Sequence, residues 1–340
     1  MAHLIPVENG RAMMMYVDEV PWHGLGQKLN GPATSEKAIA AAGLDWSVRK
    51  RPLYADGGFM KPQIEVKSHV CLVREDKEQK GEDSFLSVVG RNYNVLQNHE
   101  AFMFFDQIVG MGRAVYETAG AILDGQVIWI LARIPSDLVT ANGEKIHPYI
   151  LLSNGHGMGR PVSLKLTAVR VVCNNTLSFA MDHEAGKIIR IAHTASMRGR
   201  LAAARGLLGL IDRTTLELRR FAERLRSLQL NDQQHDDYLR NVFPEPNPSA
   251  KGNLVNRQRD TARWYRAEAK GLAQTGRGNT TAEVRGTLWA AYNGVTDVLD
   301  HAKPVAWSDD RMLASVWFGQ RDTIKRRATK LAEELAAEAN

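Results

Sequence analysis

Cysteine is almost missing from this chain: Cys71 and Cys173 are the only two in 340 residues. Two thiols build neither a disulfide framework nor a four-cysteine zinc site. Long apolar runs are missing as well. No stretch approaches the roughly 18 to 20 residues that a membrane-spanning helix needs. The opening MAHLIPVENGRAMMMYVDEV has no basic segment followed by an apolar stretch and a small-residue cleavage site, so no secretory leader is expected. Catalytic signatures are equally scarce, with no HExxH, CxxC or GxSxG pattern, no internal repeat and no low-complexity tract. These absences point to a protein of the reducing cytoplasm without a membrane partner, a cofactor or a resident metal, and give no reason to expect an enzyme.

What remains is ordinary globular composition, 44% apolar and 24% charged, long enough at about 150 residues per domain for roughly two domains. Net charge is +6, and arginine outnumbers lysine 29 to 15. The charge is uneven. Residues 198–228 hold eight arginines and three acids, and residues 251–285 hold eight Lys or Arg and three acids. Each stretch therefore carries +5, and the rest of the chain sums to −4. A guanidinium is a flat, forked donor suited to phosphate. Concentrated on a mildly acidic molecule, it suggests a polyanionic partner. Two solvated helix faces would read the same way.

Periodicity gives an α+β plan: an antiparallel β-rich N-terminal half with a strand-strand-strand-helix core, then an all-helical C-terminal half. The domain border is expected between residues 196 and 197, with 1–196 as a candidate nucleic-acid-binding core and 197–340 as an Arg-rich helical domain for oligomerisation or a second binding surface. Alternating runs predict strands over 46–54, 63–74 and 85–96, and Asn98 caps a helix over 99–111. Further strands are expected over 114–121 and 126–134, joined at Asp124-Gly125, and over 148–153, 161–173 and 187–193. Asn174 and Asn175 are expected to break the strand and cap a helix near Thr176. In the second half, a three-four apolar spacing from Leu201 to Leu228 predicts one helix of about 42 Å, with a seam suited to a coiled-coil or intersubunit contact. Pro244, Pro246 and Pro248 break it from helices expected over 256–274, 281–301 and 308–339.

Four ordered blocks resemble a known family. They are PWHGLG at 21–26, VGRNYNVLQNHEAFMFFD at 89–106, TAVRVVCNNTL at 167–177 and RGTLWAAYNGVTDVLDH at 285–301. Together they are similar to the phage/plasmid-like protein family called domain of unknown function 932, over about 22–326. The resemblance implies carriage on phages, plasmids or prophages, and supplies no catalytic residue. Members often read His-Asp-Gly where this chain has His156-Gly157-Met158.

Several motifs could carry function. Gly155-x-Gly157-x-Gly159-Arg160 could offer backbone N–H groups and a guanidinium to a phosphate, or be a plain glycine hairpin. It leads into a strand, so it is not a dinucleotide fingerprint. Arg170, in an apolar run, needs a carboxylate, a surface or a ligand. Asp182, His183, Glu184 and His193 cluster without metal-ligand spacing. Trp264 and Tyr265, flanked by Arg263 and Arg266, could stack bases or pack in the core.

The leading expectation is therefore a nucleic-acid-binding accessory of a mobile element, a single-strand DNA-binding or annealing recombination protein acting as a homo-oligomer. Its phosphate contacts would come from Arg160, Arg170, Arg198, Arg200, Arg205, Arg219, Arg220, Arg263 and Arg266. The alternative is an anti-defence or host-takeover protein that binds a host protein. A hydrolase built on His156, Arg160, Asp182 and His183 is a third reading.

Overall fold

The computed structural model describes residues 6–17, 25–59, 61–110, 114–135, 138–139, 143–170, 175–178, 189–204, 211–247, 249, 251–302, 312, 315–317 and 319–339. The chain forms two compact units that interleave along the sequence. The first takes Met1–Pro135, Tyr149–Lys165 and Ile188–Leu208; the second takes Ser136–Pro148, Leu166–Lys187 and Gly209–Asn340.

In the first unit, β1 (Val7–Glu8) and β2 (Arg11–Ala12) form a small hairpin ahead of β3 (Met14–Val17), β4 (Gln27–Leu29) and α1 (Ser35–Ala41). Thr34 caps α1 by accepting from Lys37 N. Then come β5 (Val48–Ala55), β6 (Ile64–Arg74), α2 (Glu75–Lys80), β7 (Phe85–Gly90) and α3 (Asn98–Gly110). Strands β5, β6 and β7 make an antiparallel sheet in that order, so the strand-strand-strand-helix succession is present, with the short α2 inserted before its third strand. Three acids in the first turn of α2 meet its positive end. The outer strand β5 carries Arg49, Lys50, Arg51 and Pro52, a composition that blunts edge pairing.

A second sheet is built around β8 (Val115–Ile122) and β9 (Val127–Arg133), antiparallel across a turn in which Leu123, Asp124 and Gly125 all have positive φ. Ile128 to Leu131 are buried without alternation, as in a strand covered on both faces. Later in the chain come β10 (Leu138–Val139), β11 (Lys145–Gly155), β12 (Val162–Arg170), β13 (Asn175–Ser178), β14 (Ile189–Ile191) and α4 (Met197–Ala204). Tyr149–Gly155 of β11 pair with β9, and β14 pairs with Val162–Leu164 of β12.

Two expectations need correction here. The N-terminal sheets are not purely antiparallel, because β3 and β4 pair in parallel, Met15 opposite Gln27. Residues 175–178 are a strand and not the start of a helix: Asn175 sits opposite Arg170 and Thr176 opposite Val169. A waiting ladder on β12 satisfies their backbone, outweighing the capping tendency of asparagine.

The second unit is helical apart from β10, β13 and the adjoining parts of β11 and β12: α5 (Ile211–Ser227), α6 (Asp232–Val242), α7 (Asn253–Thr275), α8 (Leu288–His301) and α9 (Gln320–Glu338). The helical C-terminal half thus follows the sequence expectation. Helix α8 is the hub, with almost every residue from Leu288 to Leu299 buried. It begins at 288 and not 281, because Thr287 accepts from Ala290 N as its cap and Gly286 turns at φ +75°. Around it pack Leu218, Phe221, Ala222 and Leu225 of α5, Tyr238 and Leu239 of α6, and Ala328, Ala332 and Ala336 of α9. Of the helix expected over 201–228, 201–204 are helical in α4 and 211–227 in α5, with 205–210 outside the described residues, and Leu218, Phe221, Ala222 and Leu225 of α5 are spent in this core.

Two buried cations are matched inside the second unit. Lys325 pairs with Asp300. Arg321 donates to the last carbonyls of α8, Leu299 and Ala302, and to the Tyr265 hydroxyl.

Candidate nucleic-acid interface

The glycine loop of the first unit links β11 to β12 and is tightly packed. A Cβ on Gly155 would fall on the Arg160 side chain and within 2.9 Å of its carbonyl oxygen. His156 N donates to Gln126 O at 2.7 Å and Arg160 N to Gly157 O at 3.3 Å. The Gly155 carbonyl accepts from Tyr93 Oη and the His156 carbonyl from Ser87 Oγ, each at 2.7 Å. Arg160 rests on Gln126 Oε1 at 2.7 Å, and burial lowers its pKa. Gly159, at φ +72°, and Met158 face solvent. Two loop N–H groups and the guanidinium are thus already engaged within the protein.

Behind this loop lies a buried polar centre of which the sequence announces only His156 and His193. Asn98, the first residue of α3, donates through Nδ2 to Leu44 O and Trp46 O, which turns its Oδ1 toward His156 Nε2 at 2.9 Å. That oxygen only accepts, so His156 carries its proton on Nε2, and its buried Nδ1 is an acceptor with no hydrogen-bond partner among the described residues. Burial, helped by the neighbouring His193, pushes the His156 pKa down to about 3. His193 bonds Asn94 O through Nδ1 and stacks on Tyr93 at 4.4 Å. An imidazole so weakly basic and fully enclosed is poorly matched to general-base work near neutral pH. Of the hydrolase group, Asp182 and His183 lie outside the described residues, as do Cys173 and Glu184. Among the described residues, no cluster of three or more His, Cys, Asp or Glu is placed to hold a metal.

The predicted phosphate contacts divide between the units. In the first, Arg198 and Arg200 on α4 are exposed, and Arg198 pairs with Glu100 at 2.6 Å. Arg205 lies outside the described residues, as does the side chain of Arg170. In the second, Arg219 and Arg220 are exposed on α5; Arg219 donates to Val139 O at 2.8 Å and approaches Glu223.

Helix α7 gathers more. It approaches α8 through small residues: Ala262, Ala269 and Ala273 are its buried positions, and a Cβ on Gly294 of α8 would overlap Ala269 O and come within 2.8 Å of Ala273 N. That seating turns the arginines outward. Arg263, Arg266 and Arg259 all reach one carboxylate, Glu245, in the segment after α6. Hydrogen bonds from Arg263 and Arg266 hold the Glu245 pKa below its ordinary value. Lys270 pairs with Asp236 of α6 at 2.6 Å. The adjacent aromatics part ways. Tyr265 stacks on Phe243 at 5.2 Å against the core, so it is not a free base platform. Trp264 is 46% exposed. Arg257, seven residues earlier on the same helix face, is exposed as well.

Sequence reasoning named Arg263 and Arg266 but passed over Arg257, Arg259, Lys270, Asp236 and Glu245. The spacing 259, 263, 266, 270 marks one helix face and was there to be found.

No curated protein and no solved structure matches the chain. A family model, described as a domain of unknown function, matches residues 85–335, which takes in both the buried centre at Asn98 and His156 and the arginine face of α7. The chain belongs to the domain of unknown function 932 family.

Proposed function

We propose that this chain is a nucleic-acid-binding accessory of a phage or plasmid that holds single-stranded DNA, with the exposed side of α7 as its contact surface. The observation that carries the reading is Trp264: a half-exposed indole on a helix whose solvent side also presents Arg257 and Arg263. An indole offers any base a stacking face, and neighbouring guanidiniums neutralise the backbone without reading sequence. Such binding leaves bases available for pairing and needs no reacting group.

The test is fluorescence anisotropy with a labelled single-stranded oligonucleotide at low salt. Trp264→Ala should weaken binding by ~1 to 3 kcal/mol, about 5- to 150-fold. The log–log salt slope should be about −0.7 per phosphate contacted. Absence of binding by the unaltered chain at low salt would overturn the reading. In that case the same exposed Trp264, with Leu254 on the same helix, becomes the first place to look for a host-protein partner.

A further inference from the structure

Arg259, Arg263, Arg266 and Lys270 follow one another at intervals of four, three and four, so they lie along one face of α7 over about 16.5 Å. Arg266 and Lys270 line a cleft of about 570 Å³, within the range of small-ligand sites, and Arg259 and Arg263 reach Glu245, which also lines it. Leu239 and Pro244 give it an apolar floor, while Arg240, Arg266 and Lys270 supply cationic walls. Among the described residues the acids that line it are Asp236, engaged by Lys270, and Glu245. The Glu245 backbone is constrained, while its side chain is free to turn. Pro244 and Pro246 flank it, and a residue before proline is confined to extended conformations.

The donors and acceptors there do not balance. Three guanidiniums of five N–H groups each reach a carboxylate that offers about four lone-pair sites, and Arg259 turns one further N–H to Asn256 Oδ1 at 3.3 Å. Arg263 keeps 60% of its side chain in solvent even while it pairs. A phosphate monoester carries more charge than a carboxylate and spreads it over three strong acceptor oxygens. It would therefore satisfy this set better than Glu245 does.

We propose that the cleft between α6 and α7 is a phosphate-binding seat whose resident counter-ion is Glu245, displaced when a phosphate group enters. This deepens the reading above by naming the group that α7 recognises, and it rests on that reading for the source of the phosphate. An entering phosphate exchanges one ion-pair set for another: Arg259, Arg263 and Arg266 turn from Glu245 to the ligand, and the Glu245 carboxylate moves into water. The phosphate could be the terminal monoester of a strand, with three free oxygens and up to two charges, or an internal phosphodiester, with two free oxygens and one charge; the surplus of donors favours the terminal monoester.

The experiment titrates inorganic tripolyphosphate into the full chain by calorimetry, then repeats with oligonucleotides bearing a 5′-phosphate or a 5′-hydroxyl. Glu245→Gln keeps an amide of similar shape and removes the charge. It should tighten tripolyphosphate binding about fivefold, the scale of one exposed charge pair. Arg263→Gln, at an exposed position, should weaken it by a similar factor, which keeps the test valid if the first variant folds poorly. Preference for the 5′-phosphate strand assigns the seat to strand ends; equal binding assigns it to the backbone. If Glu245→Gln leaves tripolyphosphate affinity unchanged or lowers it, and Arg263→Gln is also without effect, the seat is refuted. If Glu245→Gln tightens tripolyphosphate while no oligonucleotide binds, the seat stands and the single-strand reading falls.

Discussion

Acidification from about pH 7.5 to about pH 5.0 probes the buried imidazole of His156. Its pKa is 6.5 when solvated and about 3 in the folded chain, where burial disfavours the charged ring. The unfolded chain therefore takes up the proton first. Stability is lost as pH falls below 6.5, and the loss grows until the folded state also protonates near 3. Each unit of pH inside that window costs ~1.36 kcal/mol, so His156 alone should remove about 2 kcal/mol between pH 7.5 and pH 5.0. His193 and His235, both lowered by burial, push in the same direction. Glu8, Asp76 and Glu100 also have depressed values, but their loss begins only near their ordinary values of 4.5, 3.8 and 4.5, below this window. The assay is urea denaturation at a series of pH values, with hydrogen exchange over β9 and β11 to assign the loss to the first unit. His156→Gln should flatten the pH slope by about one proton's worth, whatever it does to stability at neutral pH. A stability constant within ~0.5 kcal/mol across the window, or an unchanged slope in the variant, would refute the enclosed neutral imidazole.

Two substitutions test the packing that presents α7. Lys325→Met removes the cation from a pair in which Lys325 is 0% and Asp300 5% exposed, leaving the buried carboxylate short of that partner; the expected loss is about 3 to 5 kcal/mol in denaturant melts, and a loss under ~1 kcal/mol would contradict the enclosure. Gly294→Ala forces a methyl against Ala269 O and Ala273 N, and should cost ~1 to 3 kcal/mol while shifting α7 enough to weaken oligonucleotide binding; an alanine variant as stable as the parent would show that the helices do not touch there.

The elements that were legible in the sequence are those whose pairing partner or turn is close by. Strands β5, β6, β8 and β9 and helices α3 and α7 follow from alternation or three-four spacing bounded by Asp-Gly, Asn or proline. What was not legible depends on distant chain. Asn175 reads as a cap until β12 offers it a ladder opposite Arg170. The parallel pairing of Met15 with Gln27 leaves no local trace. The contrast between Trp264 and Tyr265 was partly readable, because Ala262, Ala269 and Ala273 fix the phase of α7 and put Tyr265, not Trp264, near the buried side. Glu245 was not read as a partner at all. It lies in a segment that proline makes conspicuous as a break, and the break concealed the charge.

That carboxylate changes how the arginine excess should be weighed. The +5 of residues 251–285 is a sum that omits Glu245 and Asp236, which between them meet Arg259, Arg263, Arg266 and Lys270. Like charges at helical spacing repel one another, so a bare ladder would destabilise the helix that bears it. A resident counter-ion holds the ladder in order until a better anion arrives. The two roles give Glu245→Gln effects of opposite sign: α7 should become less protected against hydrogen exchange, while affinity for tripolyphosphate rises. A glutamate serving only as a structural brace would lose both together. Exchange protection over 253–275, read beside the calorimetric titration on the same variant, therefore separates a seat that is occupied and waiting from a brace that merely holds.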